Sequence, residues 1–176
     1  MSAEFSIWLL PAADDAARLD ARVAALAGRL GGAVFMPHVT IQGDLGPLPA
    51  GLAAALPALA AQAPVQHWTV RAVERSEHFF RSLYLRFDRH PAFEHWQAAV
   101  RALSGTEVGL SPFPHLSMAY TPAHAALEGL AGTLAAEIVG ATLRFDHLAL
   151  VRSSASLPIV QWECLERYPL STPSPA

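Results

Sequence analysis

One short motif occurs twice in this chain and constrains its fold more than any other feature. Residues 37–43 read PHVTIQG and residues 114–120 read PHLSMAY, so the order proline, histidine, aliphatic, hydroxyl, apolar is repeated. A string of this kind should arise by chance in only roughly one in fifty chains of similar composition. The two copies place His38 and His115 at matching positions in the two halves of the chain. The repeat therefore predicts a duplicated architecture.

The segments around the motifs predict the same order of elements twice: strand, helix, motif strand, helix, strand. Short apolar or alternating runs indicate the strands, and apolar residues spaced three or four apart indicate the helices. A glycine pair closes the first helix, and a proline opens the third. The predicted elements are 5–10, 12–30, 34–43, 52–61 and 66–75, then 79–87, 91–103, 113–120, 125–139 and 142–152, with a final strand at 159–168.

This order predicts an α+β fold built as one bilobal domain over residues 1–170. The lobes are expected at about 4–76 and 78–170, with no linker rich enough in glycine, serine or proline to separate them. The tail STPSPA, residues 171–176, is expected to be disordered.

Composition excludes several classes of function. The net charge of −3 provides no basic stripe for a long nucleic acid, so a small anionic partner is expected. All twelve basic residues are arginines, which excludes lysine Schiff bases, lysyl-nucleotide intermediates and a phosphate-loop lysine. The apolar run near the N-terminus ends at Pro11 and lacks a basic flank, and Cys164 is the single cysteine, so a cytoplasmic location and no internal disulfide are expected. We expect no membrane association and a monomer.

The motifs offer acid–base chemistry at phosphorus. Residues two apart on a strand share a face, so His38 projects with Thr40, and His115 with Ser117. Across a two-fold axis the two imidazoles would flank one group, where one can deprotonate water while the other protonates the leaving oxygen. The two hydroxyls would donate hydrogen bonds to the phosphate oxygens.

This chemistry needs no metal or other cofactor. The segment HPAFEH superficially resembles a zinc-protease helix, but His90 and His95 are five residues apart and fall on different faces of a helix. No metal site is predicted.

The blocks SIWLLP, FMPHVTIQG, HFFRSLYLRF and SPFPHLSMAY occur in the order found in a known family. The chain resembles cyclic phosphodiesterases of the two-histidine (2H) phosphoesterase superfamily over nearly its whole length. The resemblance implies two antiparallel sheets lining a central cleft, with outer helices. It also implies hydrolysis of nucleoside 2′,3′-cyclic phosphates or ADP-ribose 1″,2″-cyclic phosphate to a phosphomonoester.

The same resemblance implies roles for individual residues. His38 and His115 occupy the catalytic positions, with His115 favoured as base and His38 as acid, and Thr40 and Ser117 occupy the phosphate-binding positions. Further side chains are implied as substrate contacts: Tyr120, Phe80, Trp8 and, where plant relatives usually carry glutamine, Arg81. Ser153 and Ser154 follow a strand near the expected cleft.

Two alternatives remain open from the sequence. An RNA 2′,3′-cyclic phosphodiesterase or RNA ligase-like enzyme would use the same residues on RNA ends. A binding module would hold a nucleotide phosphate between the same side chains without converting it.

Overall fold

The computed structural model describes residues 4–172. Eight strands and four helices follow one another in this part of the chain, with three short 3₁₀ turns. The strands are β1 (Phe5–Pro11), β2 (Val39–Gln42), β3 (Gln66–Thr69), β4 (Ala72–Arg75), β5 (Leu83–Arg86), β6 (His115–Ala119), β7 (Thr142–Arg152) and β8 (Glu163–Pro169). The helices are α1 (Ala13–Leu30), α2 (Ala50–Ala61), α3 (Pro91–Ser104) and α4 (Leu127–Ile138), and the 3₁₀ turns are Phe79–Arg81, His124–Ala126 and Ile159–Gln161.

The predicted α+β class and the order of elements are confirmed, but three predicted strands were too long. The segment 34–38 is irregular, and 79–81 and 159–161 form 3₁₀ turns ahead of the strands that follow them. The single strand predicted at 66–75 is two strands. The chain changes its neighbouring strand between them: the Val70 amide donates to the carbonyl of Ala141, and the Arg71 amide donates to the carbonyl of Arg86.

All eight strands belong to one sheet with the order β3-β7-β1-β2-β6-β5-β4, and β8 pairs with β7. Every pairing between these strands is antiparallel. The two sheets implied by the family resemblance are therefore two halves of one continuous sheet. The halves join between the motif strands, where Val39 of β2 pairs with Leu116 of β6.

The halves of the sheet exchange strands across the predicted lobe boundaries of 4–76 and 78–170. Strand β4 lies in the predicted first lobe but pairs with β5 of the second. Strands β7 and β8 lie in the predicted second lobe, yet β7 pairs with β1 and β3 of the first. Hydrophobic periodicity predicts a strand but carries no information about its partner, so this exchange was invisible in the sequence.

The register of the sheet shows the duplication at the level of single residues. Trp8 pairs with Thr40 across β1 and β2, and Tyr84 pairs with Ser117 across β5 and β6. A register shift immediately precedes both Trp8 and Tyr84. The two motif strands therefore have matching neighbours in the two halves.

The helices pack across the junction between the halves. Helix α1 contacts β6, and α3 contacts β2. The buried apolar face of α1 consists of Leu19, Val23, Leu26 and Ala27, at the helical spacing predicted from the sequence. One large core cluster unites residues of both halves, so the halves share their hydrophobic interior.

Ser171, the first residue of the predicted tail, is hydrogen-bonded to the rest of the fold. The Ser171 amide donates to Ala63, and the Ser171 carbonyl accepts from the Val65 amide, so Ser171 is an ordered part of the fold. Residues 173–176 of the tail expected to be disordered lie outside the described residues. Within residues 4–172, none of the helices is long and apolar enough to cross a membrane.

Candidate active site

A cavity of about 500 Å³ lies where the two motif strands meet. All eight side chains predicted as catalytic, phosphate-binding or substrate-binding line it: Trp8, His38, Thr40, Phe80, Arg81, His115, Ser117 and Tyr120. The two motifs, far apart in the sequence, therefore meet at a single cavity.

His38 lies immediately before β2 and is held on two sides. Its Nδ1 is 2.7 Å from the carbonyl oxygen of Met36, two residues earlier. Its ring stacks on the indole of Trp8, with ring centroids 3.5 Å apart and an interplanar angle of 5°. The imidazole is only 6% exposed, so its orientation is set by the surrounding protein.

His115 opens β6 and repeats the first of these contacts. Its Nδ1 is 3.0 Å from the carbonyl oxygen of Phe113, again two residues earlier, and 3.3 Å from Oγ of Ser111. In both motifs a proline separates the histidine from that carbonyl. Because proline fixes its own φ and disfavours a helical conformation in the preceding residue, it holds the carbonyl in an extended segment ahead of the ring.

These matched contacts determine which ring nitrogen is available for chemistry. A carbonyl oxygen can only accept, so Nδ1 of each imidazole carries the hydrogen and donates it. In the neutral ring Nε2 then has a free lone pair. Both histidines thus have the same tautomer, and Nε2 of each makes no hydrogen bond within residues 4–172.

Burial lowers the pKa of both imidazoles. It lowers the pKa of His38 to about 3, against the opposing hydrogen bond to Met36, and the charge of His115 lowers it further. It lowers the pKa of His115 to about 4, against the bond to Phe113, with further lowering by Arg81, Arg86 and His78. Both rings are neutral at pH 7 in the free protein, and a bound anion would favour their protonation.

The two motif hydroxyls differ in the free protein. Thr40 has no hydrogen-bond partner among residues 4–172, so its hydroxyl is ready to donate to a ligand. Ser117 is 5% exposed and donates to the carbonyl oxygen of Phe80 at 3.0 Å. Ser117 must therefore rotate its hydroxyl hydrogen away from Phe80 before it can donate to a phosphate.

The predicted aromatic contacts form one wall of the cavity. Tyr120 stacks on Phe35 with centroids 3.8 Å apart, and Phe80 meets it edge to face at 5.4 Å. Burial raises the pKa of Tyr120 well above its ordinary value, so its hydroxyl stays protonated. Phe79, which is 40% exposed, extends the wall towards solvent.

Trp162 completes this wall and was not predicted from the sequence. Its ring lies 5.7 Å from Trp8, 5.9 Å from Phe80 and 6.0 Å from Tyr120, measured between centroids. It reaches the site from the segment just before β8. Only the exchange of strands brings that segment beside β1, and no sequence signal distinguished Trp162 from a core aromatic.

Polar residues also line the cavity. Ser153 and Ser154 lie there as suggested by the sequence, together with Ser6, Ser111 and Asp44, which were not singled out. Asp44 has a positive φ of 48°, and its carboxylate accepts a hydrogen bond from the Ala155 amide.

Within residues 4–172 no group of three or more histidine, cysteine, aspartate or glutamate side chains is placed to hold a metal ion. His90, whose spacing from His95 does not suit a metal site, precedes α3 and stacks on the buried Trp68, with ring centroids 4.6 Å apart. It does not line the cavity.

Solved structures of the same fold match almost the whole chain. E. coli LigT in complex with 3′-AMP has 16% sequence identity, covers 97% of this chain and 99% of its own, and superposes with a TM-score of 0.59. TT0787 of Thermus thermophilus has 16% identity, with 97% and 100% coverage and a TM-score of 0.65. A protein described as a phosphoesterase has 17% identity, with 96% and 99% coverage and a TM-score of 0.60.

No protein-family model matches the chain, and no curated protein sequence matches it. The likeness is therefore carried by the three-dimensional arrangement, in which sequence identity is low but coverage is nearly complete. The chain has a LigT-like two-histidine phosphoesterase fold, which agrees with the superfamily that its motifs resemble.

Proposed function

We propose that this protein is a cyclic phosphodiesterase that hydrolyses a nucleoside 2′,3′-cyclic phosphate or ADP-ribose 1″,2″-cyclic phosphate to a phosphomonoester without a metal ion. One observation carries the proposal: two imidazoles with the same tautomer line one cavity, each with Nδ1 bonded to a carbonyl and each beside a motif hydroxyl. Such a pair can serve the attacking and the leaving oxygen of a single displacement.

In the proposed reaction the neutral histidine accepts a proton from water while the water oxygen bonds to phosphorus. The P–O bond of the ring breaks on the opposite side, and the protonated histidine donates its Nε2 hydrogen to the departing oxygen. The products are a phosphomonoester and a free sugar hydroxyl. The base has gained a proton from water and the acid has lost its own to the leaving oxygen, and proton exchange with solvent restores both rings. Hydrogen bonds from Thr40 and Ser117 would stabilise the charge on the non-bridging oxygens.

The surroundings of the rings support His115 as the base and His38 as the acid. The charges of Arg81 and Arg86 oppose an imidazolium at His115, whereas the face of Trp8 favours one at His38. In the empty site the pKa of His38 is the lower one, about 3 against about 4, because His38 is more deeply buried. A phosphate anion between the rings would offset burial at both imidazoles, whereas the face of Trp8 lies against His38 alone.

A small nucleotide suits the cavity better than a long nucleic acid. Aromatic side chains form one wall, hydroxyls line another part, and the chain as a whole carries a net charge of −3. The structurally similar E. coli LigT was crystallised with 3′-AMP and with phosphate. These complexes support a nucleotide ligand for the same fold.

The direct test follows adenosine 2′,3′-cyclic phosphate by phosphorus NMR in excess chelator. We expect conversion to a monoester, and His38→Ala and His115→Ala should each reduce kcat/KM by roughly 10²- to 10⁴-fold. His67→Ala is the matched control, because His67 is an exposed histidine on β3 outside the cavity, and it should keep full activity.

Other outcomes would redirect the proposal. Tight binding of the cyclic nucleotide without product would identify a binding module. Activity confined to oligonucleotides that end in a 2′,3′-cyclic phosphate, or joining of such an end to a 5′-hydroxyl RNA, would identify an RNA-end enzyme. Loss of turnover on adding chelator would overturn the metal-independent mechanism.

A further inference from the structure

Arg81 is positioned at the cavity by aromatic side chains and not by an ion pair. It ends the 3₁₀ turn Phe79–Arg81, and its Cζ lies 5.0 Å from the ring centroid of Phe113 and 5.8 Å from that of Tyr84. The turn itself is held by two further hydrogen bonds: the Arg81 amide donates to the carbonyl of His78 at 2.9 Å, and Oγ of Ser76 donates to the carbonyl of Arg81 at 2.6 Å. The guanidinium is therefore held in place before any ligand arrives.

The charge of Arg81 has no counterion in the described protein. Within residues 4–172 no carboxylate lies within 4.0 Å of its guanidinium, and its Nε is buried without a hydrogen-bond partner. Arg86 provides the contrast, since its Cζ lies 3.5 Å from the centroid of the same Phe113 ring but it pairs with Glu74 at 3.8 Å. A buried donor that lacks a partner is costly, which points to a ligand that satisfies it.

Arg81 lies towards one end of the site. The two rings that its guanidinium contacts, Phe113 and Tyr84, have centroids 5.3 and 5.4 Å from that of His115. Arg81 therefore lies on the His115 side of the position where both imidazoles would flank a phosphorus atom. The motif hydroxyls already supply donors for that central phosphate.

We propose that Arg81 binds a second phosphate of the substrate. The preferred substrate is then a nucleoside 2′,3′-cyclic phosphate that carries a further phosphate, as on its 5′ oxygen, instead of the bare cyclic nucleotide. This inference rests on the proposed function for the identity of the first phosphate. A guanidinium suits the role, because it donates to phosphate oxygens through two parallel hydrogen bonds.

The kinetic test compares adenosine 2′,3′-cyclic phosphate with and without a 5′-phosphate. We expect the wild-type protein to favour the 5′-phosphorylated substrate in kcat/KM by roughly tenfold or more. Arg81→Gln should lower kcat/KM for the 5′-phosphorylated substrate roughly tenfold more than for the unphosphorylated one, so that the preference disappears, and Arg81→Lys should keep part of it. Arg86→Gln is the matched control, because Arg86 stacks on the same ring outside the cavity, and it should retain the full preference.

A binding measurement separates this inference from the proposed function. Titration calorimetry would compare adenosine 3′,5′-bisphosphate with 3′-AMP, neither of which requires turnover. Tighter binding of the bisphosphate that depends on Arg81 supports the second site even if no hydrolysis occurs. Hydrolysis with no preference for the second phosphate, or an equal loss on both substrates in Arg81→Gln, overturns the inference and leaves the proposed function standing.

Discussion

At the scale of single residues, the site consists of two copies of one arrangement in different surroundings. In both copies the imidazole donates from Nδ1 to the carbonyl two residues earlier, across a proline. His38 then stacks on Trp8, whereas His115 lies edge-on to Tyr84 and Phe113 and within the influence of two arginines. The duplication therefore gives both rings the same backbone hydrogen bond. The neighbouring side chains differ, so the two imidazoles have different electrostatic surroundings.

The lowered pKa values make protein stability depend on pH. The pKa of a histidine in the unfolded chain is near 6.5, whereas burial lowers the pKa of His115 in the folded protein to about 4. Between these two pH values the unfolded chain binds a proton that the folded site does not bind. Stability is therefore complete above pH 6.5 and falls as the pH is lowered, by up to about 1.4 kcal/mol per pH unit for each histidine. Urea unfolding of wild type and His115→Gln at pH 6.5, 5.5 and 4.5 should show a shallower decline in the variant.

His67→Gln controls for the loss of a histidine as such, because this residue is exposed on β3. The free energy of unfolding of His67→Gln should fall as steeply with decreasing pH as that of the wild type. Parallel pH dependence in wild type and His115→Gln would show that His115 is not held neutral by the fold.

At the scale of elements, the loops that follow β2 and precede β6 fix the motif strands against each other. The Gly43 amide donates to the carbonyl of Gly109 at 2.8 Å. The side chain of Gln42, fully buried, donates to the carbonyls of Val108 and Thr106 at 2.8 and 3.0 Å. We call this contact between the two loops the loop crossing. Gly43 and Gly109 also line the cavity, so the loop crossing is part of the wall of the site.

Gly109→Ala should disrupt the loop crossing. The residue has a φ of 71°, and an added Cβ would lie 1.8 Å from the Gly43 carbonyl oxygen, so the two loops would have to separate. We expect the free energy of unfolding to fall by more than about 2 kcal/mol, as measured by urea unfolding. Gly105→Ala is the matched control, with a φ of 69° and no atom within 4 Å of the added Cβ, and should cost only about 1–2 kcal/mol.

An equal effect of the two glycine substitutions would show that left-handed backbone strain, and not the close approach of the loops, accounts for the loss. Binding of a nucleotide to Gly109→Ala would then also be expected to match that of Gly105→Ala.

At the scale of the whole molecule, the exchange of strands joins the two halves into one folding unit. Strand β3 pairs with β7, and β4 pairs with β5, so both strands of 66–75 depend on partners from later in the chain. The motif strands themselves share only the pair Val39 and Leu116. The cavity therefore depends on long-range pairing on both sides of this junction.

Fragments cut at the predicted lobe boundary should not fold alone. Residues 1–76 lack the partners of β3 and β4, and residues 77–176 lack β1, which pairs with β7 over most of its length. We expect each fragment to show neither dispersed NMR signals nor a cooperative thermal transition, and the mixture to regain both. A folded, cooperatively unfolding 1–76 fragment would show that the lobes are independent after all.

Several features of the site were predictable because they depend on local periodicity. Side chains alternate along a strand, so the sequence alone placed His38 with Thr40 and His115 with Ser117 on common faces, and the repeat implied that the pairs meet. The structure places all four at one cavity. The helix positions were predictable for the same reason, since the apolar face of α1 repeats at helical spacing.

Other features depend on contacts between distant parts of the chain. Trp162 reaches the cavity only because its segment precedes β8, which pairs beside β7. The hydrogen bond from Ser117 to Phe80 and the missing partner of Arg81 depend on where the 3₁₀ turn packs. No pattern of spacing within one segment contains this information.

The sequence by itself determined the chemical groups, their pairing on two strands and the α+β class, because these follow from composition and from periods of two and 3.6 residues. Only the tertiary structure decided which strands are neighbours, which ring nitrogen of each histidine is free and that, within residues 4–172, the arginine at the cavity has a buried Nε without a partner. These properties arise from strand pairing and burial. Both depend on contacts between residues that are distant in the sequence, so no local pattern contains them.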